Sequence, residues 1–385
     1  MTENVFLFIG NDLTQFLANS AFANMSPGNI IMILLGAAFI YFAITKEMQP
    51  LLLVPIGFGI IIGNIPYATG FLLGINENGS VLNYLYAGVI KGIYPALLFL
   101  GIGALIDFSS LISNPKLILI GIATQLGIFG AFALAIMLGF APAQAGAISI
   151  IGGGDPITAI FLAAKLAPEL IGIVAISAYI YMAMIPVIQP PIMRLLTSKK
   201  ERVIRMKPSR AISKLEKVMF PVVGILLTAF RVPAALPLLG MLFFGNLLKE
   251  SGVTKRLAET LKGPVTDVIT ILIGLTIGAS VDASIFLTQQ ALGIFVLGAV
   301  AFMVATFGGI VIVKLINIFL KEGSKINPLI GNSGVAALHD SARVSQVIGL
   351  EYDKTNFLLV HAMGPNVAGL IGSALAAGVM LTFLY

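Results

Sequence analysis

The chain has 385 residues, 58% hydrophobic and only 10% charged, with mean hydropathy +1.01. Soluble proteins carry about a quarter charged residues, so this composition excludes a water-soluble enzyme and points to a polytopic membrane protein. Cysteine is absent, His339 and His361 are the only imidazoles, and the net charge of +6 is gathered in one segment; a zinc centre and a nucleic-acid binder are both disfavoured.

Residues 1–28 are mixed and polar and read as an extramembrane arm; no basic stretch precedes an apolar core there, so no cleaved leader is expected. Apolar runs at 29–45, 50–66, 82–106, 117–141 and 170–193 are long enough, or nearly so, to cross a bilayer. Between the last two lies 146–166, interrupted by Gly152-Gly153-Gly154-Asp155-Pro156. Residues 194–217 hold nine of the 23 Lys and Arg and read as a cytoplasmic linker. Five further runs follow at 218–230, 233–248, 265–282, 291–319 and 356–384. A second glycine break, Ile330-Gly331-Asn332-Ser333-Gly334, interrupts 327–346.

The halves resemble each other. Pro55, Gly63 and Asn64 recur 182 residues later as Pro237, Gly245 and Asn246. Ile102-Gly103-Ala104 and Asp107 recur 175 later as Ile277-Gly278-Ala279 and Asp282. Ile151-Gly152 recurs 179 later as Ile330-Gly331, and Ala183-Met184 and Pro186 as Ala362-Met363 and Pro365. Corresponding loops carry opposite charge bias. Loop 67–81 has no Lys or Arg, while 249–262 has Lys249, Lys255, Arg256 and Lys262. Opposite bias is what inverted repeats require. The predicted fold is all-α: about ten transmembrane helices and two re-entrant hairpins, in repeats 29–193 and 218–385, with an elevator-like architecture. Non-helical backbone at membrane depth is tolerated only inside protein or a wet cavity, so the two hairpin tips should meet.

The tips supply the chemistry. Asp155, loose carbonyls and the Thr158 hydroxyl form an oxygen-rich site suited to Na⁺ or H⁺; the alternative is a carboxylate that only caps a half-helix. Pro186 and Pro365 should break their helices, exposing carbonyls beside Asn366, which could otherwise be a packing residue. Arg343 suits recognition of a carboxylate or carbamate, or else anchors the cytoplasmic side. From these features alone, a Na⁺- or H⁺-coupled secondary transporter is the natural reading.

Several ordered blocks carry a closer resemblance: Pro50-Leu51-Leu52-Leu53-Val54-Pro55, Lys165-Leu166-Ala167-Pro168-Glu169-Leu170, Gln189-Pro190-Pro191-Ile192-Met193, Asn327-Pro328-Leu329-Ile330-Gly331, Ala342-Arg343-Val344-Ser345 and His361-Ala362-Met363-Gly364-Pro365-Asn366. Together they resemble the β subunit of sodium-translocating biotin-dependent decarboxylases, which serve oxaloacetate, methylmalonyl-CoA, glutaconyl-CoA or malonate. The resemblance implies a subunit of the prokaryotic cytoplasmic (inner) membrane that decarboxylates carboxybiotin and couples CO₂ release and proton uptake to outward Na⁺ transport. It implies an oligomeric complex with a biotin carrier protein, a carboxyltransferase subunit and a small single-span membrane subunit, and no nucleic acid. It places Asp155, Tyr181, Arg343 and Asn327 in the reaction. Arg343, Asn327, Gly331, Asn332 and Ser333 would hold carboxybiotin, and Asp155, Asn366, Thr158 and Ser341 would hold Na⁺. The chain departs from the family pattern at Asp155-Pro156-Ile157-Thr158, at Ala336, where the family has a serine, and at Leu338-His339-Asp340-Ser341. Asn332, Ser333 and Ser341 are candidates to replace the oxygen lost at Ala336.

Overall fold

A computed structural model describes residues 15–67 and 72–385; residues 1–14 of the expected amino-terminal arm lie outside them. Among the described residues there is no strand. The longer helices are α1 (Pro27–Thr45), α2 (Pro50–Gly63), α3 (Val81–Ile90), α4 (Ile93–Leu105), α5 (Ile118–Thr124), α6 (Leu126–Met137), α7 (Pro142–Ser149) and α8 (Pro156–Leu166). They continue with α9 (Ile171–Ala183), α10 (Ile185–Leu196), α11 (Lys214–Arg231), α12 (Leu236–Glu250), α13 (Thr266–Ala279), α14 (Gln289–Ile318), α15 (Asp340–Tyr352) and α16 (Leu359–Leu384).

Local chemistry sets several boundaries. Ser26 starts α1 by accepting from the Asn29 backbone, with Pro27 in the first turn. Ser213 and Glu216 form a capping box that ends the basic linker and starts α11.

Five helices among the described residues are long and apolar enough to cross a membrane, or up to seven if two bent pairs are counted. Other expected crossings fall on shorter elements, such as α2 with 14 residues and α12 with 15. A straight crossing needs about 20 residues.

The chain forms two compact units that do not follow the sequence halves. One holds the described residues up to Lys91 together with Thr270–Ala291; the other holds Gly92–Ile269 and Leu292–Tyr385. In the first unit, α2 packs on α13: a Cβ at Gly63 would strike the Ala279 backbone, and the Asn64 amide donates to Val281 O at 2.7 Å. In the second, α12 packs on α4: a Cβ at Gly245 would reach Ala104 N at 3.0 Å, and the Asn246 amide donates to Ile106 O at 3.0 Å. These contacts are equivalent pair by pair under the offsets of 182 and 175. The loop turns match as well: Asp107 Oδ1 accepts from Ser109 N at 2.9 Å, and Asp282 Oδ1 from Ser284 N at 2.8 Å. Close helix contact through glycine is the usual packing device in bilayers, where apolar side chains gain nothing by leaving lipid.

Candidate functional site

The first glycine break is a helix–turn–helix. Helix α7 runs into one 3₁₀ turn, Ile150–Gly153. Gly154 then takes φ +68°, the left-handed backbone that glycine adopts without a Cβ penalty, and reverses the chain. Asp155 follows in extended conformation and caps α8. Its Oδ1 accepts from Ile157 N at 3.1 Å and its Oδ2 from the Thr158 hydroxyl. The capping geometry expected as the alternative is therefore present. It leaves capacity over, because a carboxylate offers about four lone-pair sites. Asp155 is 4% exposed, and no ion pair reaches it among the described residues. A buried, unpaired carboxylate is costly and calls for a cation or a proton.

The second break begins at Asn327, whose Oδ1 accepts from Leu329 N at 3.0 Å and opens the 3₁₀ turn Pro328–Gly334. A second short turn, Ala337–His339, leads into α15. The two tips meet backbone to backbone: Ala336 N donates to Gly153 O at 3.1 Å and Ala337 N to Gly154 O at 2.9 Å. Asp155 thus sits one residue from the junction.

Helix α16 closes over this junction. The Asn366 amide donates to Ser333 O and Val335 O, each at 3.3 Å, to Ala336 O, and to Ser341 Oγ at 3.0 Å. Asn332, Ser333 and Ser345 form a buried network beneath the tip. Asn332 Nδ2 donates to Gln189 Oε1 at 2.7 Å and to Ser341 O at 2.9 Å. Asn332 Oδ1 accepts from Ser345, whose hydroxyl lies 2.8 Å from that of Ser333. Ser341 Oγ donates to Val335 O at 2.6 Å. All three candidates for the oxygen lost at Ala336 are thus engaged in holding the second tip together.

Four other residues singled out in the sequence take no part in the hydrogen bonds between the tips. Both amide hydrogens of Asn327 go to the linker, to Arg202 O and Ile204 O at 2.9 Å each, and the side chain is fully buried. The same linker segment is tied to the end of α15. Buried Arg202 donates to Tyr352 and to Thr197, at 2.9 Å to the Thr197 hydroxyl, with its guanidinium 4.7 Å from the Tyr352 ring centre. Arg205 pairs with Asp353 at 2.8 Å. The Thr355 hydroxyl and backbone N–H, together with Arg205, hold the Asp353 carboxyl down at about 2. Gly331 packs against the α14 backbone, where a Cβ would lie 2.6 Å from Ile310 Cα. Arg343 is 74% exposed, lies 3.6 Å from Asp340, and lines a cavity of about 540 Å³ with Asp107, His339 and Met363.

Tyr181 is the fourth. Its hydroxyl donates to Phe295 O, and its ring stacks on Phe302 at 6.4 Å. Tyr179, two residues earlier, is 2% exposed, has no hydrogen-bond partner for its hydroxyl among the described residues, and lies within electrostatic range of Asp155. Tyr181→Phe is expected to cost about 0.5–1.5 kcal/mol of stability through one lost buried bond, seen as a lower thermal midpoint. Tyr179→Phe should keep the midpoint and instead shift the Na⁺ dependence of the rate; equal behaviour of the two variants would refute the distinction.

One expectation is corrected. The chain bends by 61° at Met184 between α9 and α10, so the break near Pro186 exists. Helix α16, however, runs unbroken through Pro365. Pro365 stands in its second turn, where the missing donor removes a bond only to the carbonyl of His361, near the helix start.

Residues 28–384 match the family described as Na⁺-transporting oxaloacetate decarboxylase beta subunit. The chain is 48% identical to methylmalonyl-CoA decarboxylase subunit beta of Propionigenium modestum, over 96% of this chain and 98% of that protein. It is 45% identical to glutaconyl-CoA decarboxylase subunit beta of Acidaminococcus fermentans, over 97% of each. It is 43% identical to the oxaloacetate decarboxylase beta chain of Klebsiella pneumoniae, over 97% of this chain and 99% of that one. Helices fit to span a membrane, a buried carboxylate on broken backbone and near-complete matches to these proteins lead to one conclusion: the chain belongs to the β subunits of the Na⁺-transporting decarboxylases, in which decarboxylation is coupled to sodium transport.

Proposed function

We propose that this chain removes CO₂ from carboxybiotin and uses the event to move Na⁺ outward across a prokaryotic cytoplasmic membrane. The observation that carries the reading is the junction of the two tips, Gly153–Gly154 against Ala336–Ala337. It sets the unpaired Asp155 carboxylate beside a segment whose outgoing helix bears Arg343. In the reaction the carbamate C–N bond breaks, its electron pair stays on the biotin nitrogen, and that nitrogen takes up a proton. Asp155 holds Na⁺, with Thr158 and carbonyls at the tips. Loss of the carboxylate charge nearby, or protonation of Asp155, releases the ion. Arg343 receives the carboxylate of carboxybiotin in the 540 Å³ cavity at the cytoplasmic side. Asn327 acts through the linker to fix the root of the second hairpin.

The relatives are decarboxylase subunits. By likeness, this chain works in an oligomeric complex with a biotin carrier protein, a carboxyltransferase subunit that selects the parent acid, and a small single-span subunit. Ten crossings in two inverted repeats, with both hairpins moving as one body, would give alternating access.

The test supplies free carboxybiotin to the purified protein in proteoliposomes and records CO₂ release and ²²Na⁺ movement. Na⁺-stimulated CO₂ release with matched Na⁺ movement is expected; substrate flux without CO₂ would replace this reading with an ordinary secondary transporter. Arg343→Ala should raise the KM for carboxybiotin about 10-fold or more, the worth of a charge-assisted bond of about 1.5–3 kcal/mol, while kcat falls less. An unchanged KM would remove Arg343 from the substrate site.

A further inference from the structure

The geometry points to a binding site for a phosphate group in a basic cavity where the linker meets the segment ahead of Asn327 and the start of α16. All its walls belong to the unit formed by Gly92–Ile269 and Leu292–Tyr385. The inference stands apart from the proposed reaction, since neither carboxybiotin nor Na⁺ enters it.

The cavity measures about 300 Å³. Lys207 and Arg210 of the linker line it with Lys325, beside Ser209, Ser324 and His361. No carboxylate lines it. Like charges gathered around one small space repel one another, and an entering anion relieves that repulsion. The positive-inside rule accounts for basic residues in the linker. It does not account for a cavity in which they converge with a lysine from a distant part of the chain.

The cations remain available to a ligand. In the same linker, Arg194 and Arg205 are held by Glu351 and Asp353 at 2.8 Å each. Lys207 has no such partner among the described residues; its Nζ donates to the Ser324 hydroxyl at 3.3 Å and keeps two further hydrogens. Arg210 pairs with Glu216 at 2.5 Å and Lys325 with Glu322, but neither glutamate lines the cavity. Exposed pairs of this kind contribute little, so a phosphate can share their cations. The hydroxyls of Ser209 and Ser324 donate to nothing among the described residues.

The walls are fixed before a ligand arrives. Ile326, next to Lys325, exchanges two bonds with Asn317 of α14: its N–H donates to Oδ1 at 2.8 Å and its carbonyl accepts from Nδ2 at 2.7 Å. On the linker side, Ile204 O accepts from Asn327 at 2.9 Å and from Asn356 at 3.1 Å. His361 stands in the first turn of α16, where the helix dipole favours an anion. Ammonium, guanidinium and hydroxyl donors around one space suit the several acceptor oxygens of a phosphate. Exposed apolar side chains flank the cavity along the chain, Ile318 and Phe319 ahead of Ser324 and Leu215 and Met219 beyond Arg210. A phospholipid headgroup is therefore one source of the phosphate, and the free ion is the other.

The test follows the thermal midpoint of the purified protein in phosphatidylcholine nanodiscs, which rises as a ligand of the folded state saturates. One arm replaces part of the lipid with phosphatidylglycerol. The other adds potassium phosphate, with potassium chloride of equal ionic strength as its reference. The midpoint should rise in at least one arm. Lys207→Gln/Lys325→Gln should weaken the apparent affinity about 25-fold, about 5-fold for each charge removed, and Arg210→Gln about 5-fold. Lys199→Gln/Lys200→Gln removes the same charge from the same linker outside the cavity and should bind as the wild type does. A rise with phosphatidylglycerol alone identifies a lipid headgroup; a rise with potassium phosphate identifies the free ion. The midpoint without ligand shows whether each variant is folded, and Arg210→Gln decides alone should the double variant unfold. If the wild type responds in neither arm, or the cavity variants keep its affinity, the site is overturned. It is overturned equally if Lys199→Gln/Lys200→Gln loses as much as Lys207→Gln/Lys325→Gln, because the basic residues then only anchor the linker.

Discussion

Asp155→Asn is expected to abolish Na⁺-coupled CO₂ release while leaving the protein folded and no less stable. The substitution keeps the shape of the side chain. The amide oxygen can still accept from Ile157 N while the amide nitrogen donates to the Thr158 hydroxyl, so the cap on α8 survives. What disappears is a charge that is almost wholly buried and lacks an ion-pair partner among the described residues. Relieving an uncompensated buried charge does not destabilise a fold. A bound Na⁺, by contrast, loses the one carboxylate that the described residues bring to the junction. Removing one partner of a buried pair costs about 3–5 kcal/mol, or about 150- to 5,000-fold in affinity. The half-saturating Na⁺ concentration should rise by that factor and the coupled rate vanish at ordinary Na⁺, with the thermal midpoint unchanged or higher. A residue that only capped α8 would give a smaller effect of opposite pattern: a lower midpoint with Na⁺ dependence intact. Coupled transport by Asp155→Asn at ordinary Na⁺ would sink the proposal.

The two tips were legible because they violate their surroundings. A run as apolar as 142–166 has no reason to carry three glycines, an aspartate and a proline unless the chain turns there. The matched asparagines were legible for a related reason: an asparagine inside a greasy helix needs a carbonyl, and Asn64 and Asn246 solve that problem in the same way. Three features were not legible. Tyr179 and Tyr181 are two residues apart, which on a helix separates them by about 200°; only the neighbours say which hydroxyl finds a carbonyl. The direction of the Asn327 amide depends on where the basic linker lies, and linker path leaves no periodic trace. Whether Pro365 breaks its helix depends on the packing around it: with α16 beginning at Leu359 the proline lies past the first turn, yet the helix continues through it to Leu384.

The second large effect is expected at Gly331. Its role at the second tip is to let two backbones touch: a Cβ there would collide with the Gly309 carbonyl and lie 2.6 Å from Ile310 Cα, and a Cβ on Gly309 would collide with the Gly331 carbonyl. Both obstacles are main chain, one in a 30-residue helix and the other in a 3₁₀ turn tied down by Asn327 and Ser345. Neither can swing aside as a side-chain end would. Overpacking of this kind costs about 1–3 kcal/mol, and a backbone obstacle puts it at the upper end. Gly331→Ala should therefore lower the thermal midpoint and also displace the tip, so that the bonds from Ala336 and Ala337 to Gly153 and Gly154 lengthen and Na⁺ coupling fails. Gly263→Ala, where an added Cβ meets nothing within 4 Å, is the control and should be close to neutral. The pair Gly309→Ala and Gly331→Ala gives the sharper measurement. Each change alone already forces the two backbones apart, so the second should cost less than the first, and the double variant should fall short of the sum. Additive costs would mean that the two glycines do not share one contact, and the close approach that seats the second tip against α14 would have to be abandoned.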